Sequence, residues 1–208
     1  MIPEATIRRL SIYLRCLRHS LEEGEEIVLS SEIAKRCGIS SSLVRKDLSY
    51  FGEFGIKGRG YRTGELISAI EKIIGIHDKI GIIIIGAGNL GRALIRHLNE
   101  IPYFHIIAAF DKNQEKCGIS IDGVEVFHIS QLSEITKKTR PEVAVLAIPP
   151  DSLQETLDWL AAHGIKGILS FALSSVKTPK NVELGFVEIA AEIEYLLYKI
   201  NRRRGTTK

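Results

Sequence analysis

Apolar residues recur at steps of three and four near the start of the chain. Ile7, Leu10, Leu14, Leu17 and Leu21 make one stripe and predict a helix over 3–24, opened at Pro3 and ended at Gly24. Two short helices follow. Ser30 or Ser31 caps the first, with Ile33 and Ala34 inward and Gly38 as its breaker. Ser40 or Ser41 caps the second, over 41–51, whose inward face is Val44, Leu48 and Phe51. A short helix, a glycine-containing turn and a second helix make a helix-turn-helix pattern. Gly52, Gly55, Gly58 and Gly60 then oppose any stable helix. The aromatic, apolar and basic residues alternating between them predict a β-hairpin, or wing. A helix from Thr63 to about Ile76 carries Leu66, Ile67, Ile70, Ile73 and Ile74, and 75–79 is the expected domain junction.

From Lys79 the pattern changes. Ile80–Ile85 is short, nearly continuous and β-branched, the signature of a parallel strand buried on both faces. A glycine loop and a helix to Glu100 follow, then a strand over 105–110 that ends in Asp111. Further strands are expected over 143–148, ending in Pro149, and over 167–171, with a helix over 151–163 between them. Strand alternating with helix is the α/β doubly wound pattern. A last helix, from Val187 to about Arg204, places Ile189, Ala190, Ile193, Leu196, Leu197 and Ile200 on one face. Its early acids (Glu188, Glu192, Glu194) and late Arg202, Arg203 and Arg204 complement the helix dipole. The expected fold is therefore α/β: an N-terminal winged helix-turn-helix domain (1–77), a Rossmann-like doubly wound parallel sheet (78–185), and a C-terminal helix with a basic tail (186–208).

Composition adds little to this. A chain of 208 residues suits two modest domains, and 45% hydrophobic with 25% charged residues is an ordinary globular balance. The longest apolar run is strand-sized, far short of the roughly 20 residues that span a bilayer. The opening Met1-Ile2-Pro3-Glu4 lacks the order of a signal peptide, so a cytoplasmic protein with no membrane partner is expected. Cys16, Cys37 and Cys117 form no Cys-x-x-Cys pair; they read as free thiols, and no metal site is expected.

The loop Gly86-Ala87-Gly88-Asn89-Leu90-Gly91 lies between strand and helix, where each glycine has a task. Gly86 makes the tight turn, Gly88 admits a pyrophosphate to the backbone, and Gly91 lets helix and strand pack closely. The helix start offers amide donors to phosphate. Asp111, 20 positions after Gly91, stands where an acid accepts bonds from the adenosine ribose. A carboxylate there repels a 2′-phosphate, which favours NAD and NADH, although Lys112 beside it weakens that preference. Pro149 is a further candidate contact. The alternative is that the glycines serve packing alone and Asp111 caps a turn. The Rossmann-like stretch uses up nearly all of the chain beyond the first domain, leaving no substrate domain. His97 and His105 are isolated, and no Tyr-x-x-x-Lys pair occurs. The nucleotide thus reads as a ligand rather than a reactant, and no enzymatic activity is expected. A small NAD-dependent oxidoreductase and a regulator answering another nucleotide remain as rivals.

With Val44, Leu48 and Phe51 inward, Ser42, Arg45, Lys46, Ser49 and Tyr50 must face outward. Arg suits a bidentate contact to guanine, and Lys, Ser and Tyr suit phosphate, sugar or base edges. The wing adds Lys57, Arg59 and Arg62. Between Ser30 and Arg62 stand seven basic residues against three acids, a local +4 in a chain whose net charge is +3, so the positive field is concentrated there. A solvated basic helix on an unrelated domain is the alternative. Asp47 either holds Arg45 or a wing residue, or repels phosphate.

Val44-Arg45-Lys46-Asp47-Leu48-Ser49-Tyr50-Phe51-Gly52, followed by Gly55-x-x-Gly58-x-Gly60-Tyr61, resembles the recognition helix and wing of the Rex family of redox-sensing transcriptional repressors. Pro3, Ala5-Thr6-Ile7 and Arg9-Leu10 are similar to the family's opening, and the glycine loop with Phe110-Asp111 to its cofactor domain. The resemblance covers essentially the whole chain. It implies a homodimer whose C-terminal helix is exchanged between protomers. It also implies a repressor that holds double-stranded, palindromic operator DNA when NADH is scarce and leaves it when NADH binds. Where members commonly carry Asn-Phe-Ala-Pro near the nicotinamide, this chain has Ser170-Phe171-Ala172-Leu173, which makes Phe171 a candidate cofactor contact. Some members couple cofactor to domain position through an Arg–Tyr–Asp network. Arg15 matches the Arg, but His97 stands in place of the Tyr and Glu188 in place of the Asp. These departures bear on the strength and pH dependence of the switch, because a histidine can titrate near neutrality.

Overall fold

Pro3 has a fixed φ and no N–H to leave unpaired, and α1 (Glu4–Glu22) begins directly after it. In the computed structural model, which describes residues 2–52, 54–56 and 59–203, α1 buries Thr6, Leu10, Tyr13, Leu14, Leu17 and Ser20. Ile7 and Leu21 are exposed. Leu10, Leu14 and Leu17 of the expected stripe are buried, while at its ends Thr6 and Ser20 take the inward places of Ile7 and Leu21, the Thr6 hydroxyl finding a buried partner in Asp47. Next come β1 (Ile27–Val28), α2 (Ser30–Cys37) and α3 (Ser41–Ser49). The α2 start is not capped by a serine hydroxyl. Instead Leu29 N–H donates to the Glu32 carboxylate at 2.6 Å, while Gly38 ends the helix in the left-handed region, φ 67°. The Ser40 hydroxyl does cap α3, accepting from Leu43 N–H at 3.3 Å.

The wing is β2 (Gly55–Ile56) and β3 (Gly60–Arg62), and α4 (Thr63–Ile74) follows. The hairpin is part of a three-stranded antiparallel sheet in the order β1-β3-β2, with Val28 opposite Tyr61. α1 packs on α2 and α4, around fully buried Leu10, Leu14, Leu17, Val28, Val44 and Ile70. Each such side chain is worth about 1.5–3 kcal/mol of burial. Lys57 of the expected interface and Arg204 of the basic tail lie outside the described residues.

The chain divides into two compact units, Met1–Asp78 and Lys79–Lys208. The second contains β4 (Ile80–Ile85), α5 (Asn89–Asn99), β5 (Phe104–Asp111), β6 (Ser120–Ile121), β7 (Val124–His128), α6 (Leu132–Thr139), β8 (Val143–Leu146), α7 (Leu153–Ala162), β9 (Gly167–Ser170), β10 (Glu183–Phe186) and α8 (Ile189–Arg203). The sheet order is β10-β9-β8-β4-β5-β7-β6, parallel except for β6, which runs antiparallel to β7. Ile83 and Ile85 pack with Leu132 of α6 and Leu153, Leu157 and Leu160 of α7. Ile82 and Ile84 pack with Ile95 of α5 in a separate cluster. Helices therefore cover both faces, which is why β4 is apolar at nearly every position. Because β4 lies between β5 and β8, the chain leaves it first to one side and later to the other. That reversal opens a crevice at the carboxyl ends of the strands. α8 buries none of its residues; Ile189, Ile193, Leu196, Leu197 and Ile200 are between 44% and 58% exposed. No described helix is long and apolar enough to cross a membrane.

Candidate functional site

The crevice is built from three strand ends. After β4, Gly86 takes φ 101°, and a Cβ there would lie 2.2 Å from the Ala147 carbonyl oxygen. A Cβ on Gly91 would lie 1.8 Å from the Gly86 carbonyl oxygen. Neither position admits a side chain without breaking the turn. Gly88 differs, since a Cβ there would meet nothing within 4 Å. The protein does not need that glycine for packing; its bare backbone faces a cavity. α5 starts one residue later, with no acid in its first turn, so its unpaired amides leave the loop electropositive.

Asp111 ends β5 and is 7% exposed. Its Oδ2 accepts from Ala87 N–H at 2.8 Å and its Oδ1 from Asn113 N–H at 2.8 Å, and Lys116 Nζ is 3.1 Å from Oδ2. Burial alone would raise this carboxyl. The two amides and the Lys116 ammonium outweigh it and hold the group below the ordinary value. Asp111 thus ties the glycine loop to the neighbouring strand from the edge of the cavity.

That cavity, about 600 Å³ in volume, is lined by Gly86, Gly88, Asp111, Lys112 and Pro149 among the residues expected from sequence. The volume is within the ordinary range for a cofactor pocket. Ala87 is fully buried beneath the loop, and Gly91 is buried in α5. Asn89 and Leu90 are exposed at the helix start. Phe171 lies apart from the lining, packed with the α5-side cluster. Lys116, Glu155, Thr156 and Trp159, which also line it, were missed in the sequence. Trp159 stacks on His163 with ring centroids 3.7 Å apart, which fixes a flat aromatic surface at the cavity edge. Its only sequence signal is that it is the chain's single tryptophan.

In the first unit, Ser42, Arg45, Lys46, Ser49 and Tyr50 are all exposed on or beside α3. Arg45 Nη1 donates to Ser30 Oγ at 3.0 Å, which orients the guanidinium, and Ser49 Oγ donates to the Lys46 carbonyl at 2.8 Å. Arg59 and Arg62 are exposed in the wing, and Arg62 Nε lies 3.7 Å from Glu65. Asp47 does none of what was expected of it. It is 1% exposed and points at α1. Arg9 donates to it twice, from Nε to Oδ2 at 2.6 Å and from Nη2 to Oδ1 at 2.7 Å. Tyr13 Oη (2.6 Å) and Thr6 Oγ1 (3.0 Å) donate to it as well. This buried carboxylate locks the inner side of α3 to α1 and leaves the basic outer side free. Nothing in the spacing of the sequence pointed to Thr6, Arg9 or Tyr13.

The three residues expected to couple the domains fall as follows. Arg15 is exposed on α1. The His97 side chain is 69% exposed, with Nδ1 3.9 Å from Glu100. Glu188 Oε1 accepts from Ala190 N–H at 3.0 Å and so caps the start of α8. No group of three or more His, Cys, Asp or Glu able to hold a metal occurs among the described residues.

Residues 1–49 match a family profile described as "Putative DNA-binding protein N-terminus", and residues 77–174 match one described as "CoA binding domain". The chain is 44% identical to the redox-sensing transcriptional repressor Rex of Thermosipho africanus, over 97% of each chain. It is 41% identical to the protein of the same name from Syntrophomonas wolfei, over 95% of this chain and 94% of that one. Among solved structures it is similar to RSP, a Rex-family repressor. The RSP complex with β-NAD+ and operator DNA is 33% identical and matches with a TM-score of 0.85, over 98% of this chain and 94% of that one. The complex with β-NADH is 31% identical with a TM-score of 0.81, over 98% and 96%.

Proposed function

The chain belongs to the Rex family of redox-sensing transcriptional repressors, and from that premise we propose a cytoplasmic homodimer that holds palindromic operator DNA until NADH fills the cavity beside residues 86–91. The observation that carries the ligand side is the electropositive glycine loop, tied down by Asp111 and opening on the cavity of about 600 Å³. Gly88 and the α5 amides would hold the pyrophosphate, and Asp111 would face the ribose. Trp159 offers an aromatic surface that would suit the adenine. The DNA side rests on the exposed Arg45, Lys46 and Tyr50, presented on a helix that Asp47 fixes from behind.

NADH releases the operator only if it binds the DNA-incompetent arrangement more tightly than the competent one. NAD has the same phosphates and riboses but a charged nicotinamide; it competes and leaves repression intact. The RSP complex that carries β-NAD+ together with operator DNA supports that assignment. A coupling of about 1–3 kcal/mol changes operator affinity roughly 5- to 150-fold.

One observation favours a second reading, since the profile matched by residues 77–174 is described by coenzyme A, which shares the adenosine diphosphate core. Calorimetric titrations with NADH, NADPH and CoA separate the two. NADH is expected to bind at least about tenfold tighter than either competitor, a gap of about 1.4 kcal/mol. Asp111→Asn is expected to weaken NADH and narrow its lead over NADPH, because the loop tie and the ribose acceptor are lost together. Tighter binding of CoA than of NADH would replace the ligand in this proposal.

A further inference from the structure

Cys16 on α1 and Cys37, the last residue of α2, are 21 positions apart, yet their sulfur atoms stand 3.1 Å from each other. That is a contact between two thiols, since a disulfide closes at about 2.05 Å. Both side chains are half-buried. Cys117 is in the other unit, where its thiol donates to the carbonyls of Asp111 and Asn113. We propose that Cys16 and Cys37 form a reversible disulfide linking α1 to α2, and that this is a second redox input acting on the DNA-binding unit without the dinucleotide.

The Arg36 guanidinium lies within electrostatic reach of Cys16, while also bonding Glu23 at 2.7 Å and Glu25 at 2.8 Å. The thiolate is the form of a cysteine that attacks an oxidant. Burial, and then the contact with Cys16, push the Cys37 thiol up. With a peroxide as oxidant, the Cys16 thiolate attacks one peroxide oxygen, the O–O bond breaks, and the departing hydroxide takes a proton to become water. Cys16 is then a sulfenic acid. The Cys37 sulfur attacks it, the S–O bond breaks, and the leaving hydroxide takes the Cys37 proton. Two thiols and one peroxide give one disulfide and two waters. Intracellular disulfides are mostly transient and redox-sensing, in keeping with this reversible use.

Closure draws the two sulfur atoms together by about an ångström and pulls the end of α2 toward α1. α3 cannot follow freely, because Asp47 holds it to α1 elsewhere. Ser30, at the start of α2, carries the bond from Arg45 and moves with its helix. Oxidation is therefore expected to displace Arg45 and weaken operator binding about fivefold or more, the lower end of ordinary coupling between sites. The effect on DNA rests on the DNA-binding reading above; the linkage itself does not.

The test uses the full chain and a duplex selected from a random-sequence library by the reduced protein. The protein is treated with hydrogen peroxide, digested without reductant and mapped by mass spectrometry, and duplex affinity is measured in parallel. The expected result is a linked pair of peptides holding Cys16 and Cys37, reversed by dithiothreitol, with Cys117 left as a thiol. Duplex affinity is expected to fall in wild type and in Cys117→Ser, but not in Cys16→Ser or Cys37→Ser. Sulfinic or sulfonic acid without the linked peptides would overturn the proposal. So would a complete linkage that leaves duplex affinity unchanged, and that outcome leaves the dinucleotide-controlled repressor intact.

Discussion

Asp47 accepts four hydrogen bonds from Thr6, Arg9 and Tyr13, residues 41, 38 and 34 positions earlier in the chain. A carboxylate this deeply buried is tolerable only with such partners. Burial pushes its carboxyl up, but the bonds from Arg9, Tyr13 and Thr6 outweigh it and leave the group below its ordinary value. Asp47→Asn keeps the volume but strands the Arg9 guanidinium, and it is expected to cost about 2–4 kcal/mol in urea unfolding. The pH dependence follows from the direction of the shift. A depressed carboxyl contributes stability that is full above its unfolded value, about 3.9, and is lost as pH falls through the lower folded value. The gap between wild type and the variant is therefore expected to be flat near neutrality and to close below about pH 4. Tyr13 works in the opposite sense. Burial, then its bond to Asp47, raise its hydroxyl, so its contribution is full below about pH 10 and is lost above it. None of this was legible in the sequence, because apolar periodicity assigns polar residues to solvent by default. Only the fold, which brings Thr6, Arg9 and Tyr13 of α1 to Asp47 of α3, reveals the clamp.

At the scale of elements, the sequence was informative wherever a period had room to show. α1, α4, β4, α5 and α7 were legible, and so were the breaks at Gly24, Gly38 and Gly75, all of which take positive φ. β1 and β6, with two residues each, are too short to show alternation. β10 lies at the sheet edge, covered on one side only, and lacks the apolar run that marks β4. In the candidate site, the loop and Asp111 were legible from spacing, whereas Lys116, Glu155 and Trp159 reach the cavity only through the fold. α3 is the element whose role is most open to attack. Arg45→Ala is expected to weaken operator binding by about 1–3 kcal/mol and to relax specificity at one position of each half-site. Lys46→Ala is expected to weaken all sequences alike and to reduce the salt slope by about one. Fluorescence polarisation across a salt series distinguishes the two. Unchanged affinity in both variants would remove α3 from the interface.

At the scale of the whole molecule, α8 presents an apolar face that its own chain does not cover. A dimer that buries this face gives the two-fold symmetry a palindrome requires. Ile193→Glu with Leu197→Glu is expected to yield monomers by sedimentation and to reduce binding of the full palindrome far more than that of a half-site. How ligand and DNA are wired together is a matter separate from whether each binds. That wiring is the central claim, and thermodynamic linkage gives it a direct test. If NADH weakens operator binding by some factor, bound operator must weaken NADH by the same factor. NADH affinity is therefore to be measured by calorimetry with free protein and with protein saturated by its selected duplex. The expected result is a loss of about 5- to 150-fold in the presence of DNA. The reverse titration of duplex into NADH-loaded protein is expected to give the same factor. Equal NADH affinities in the two states would contradict the account, whatever the two sites bind separately.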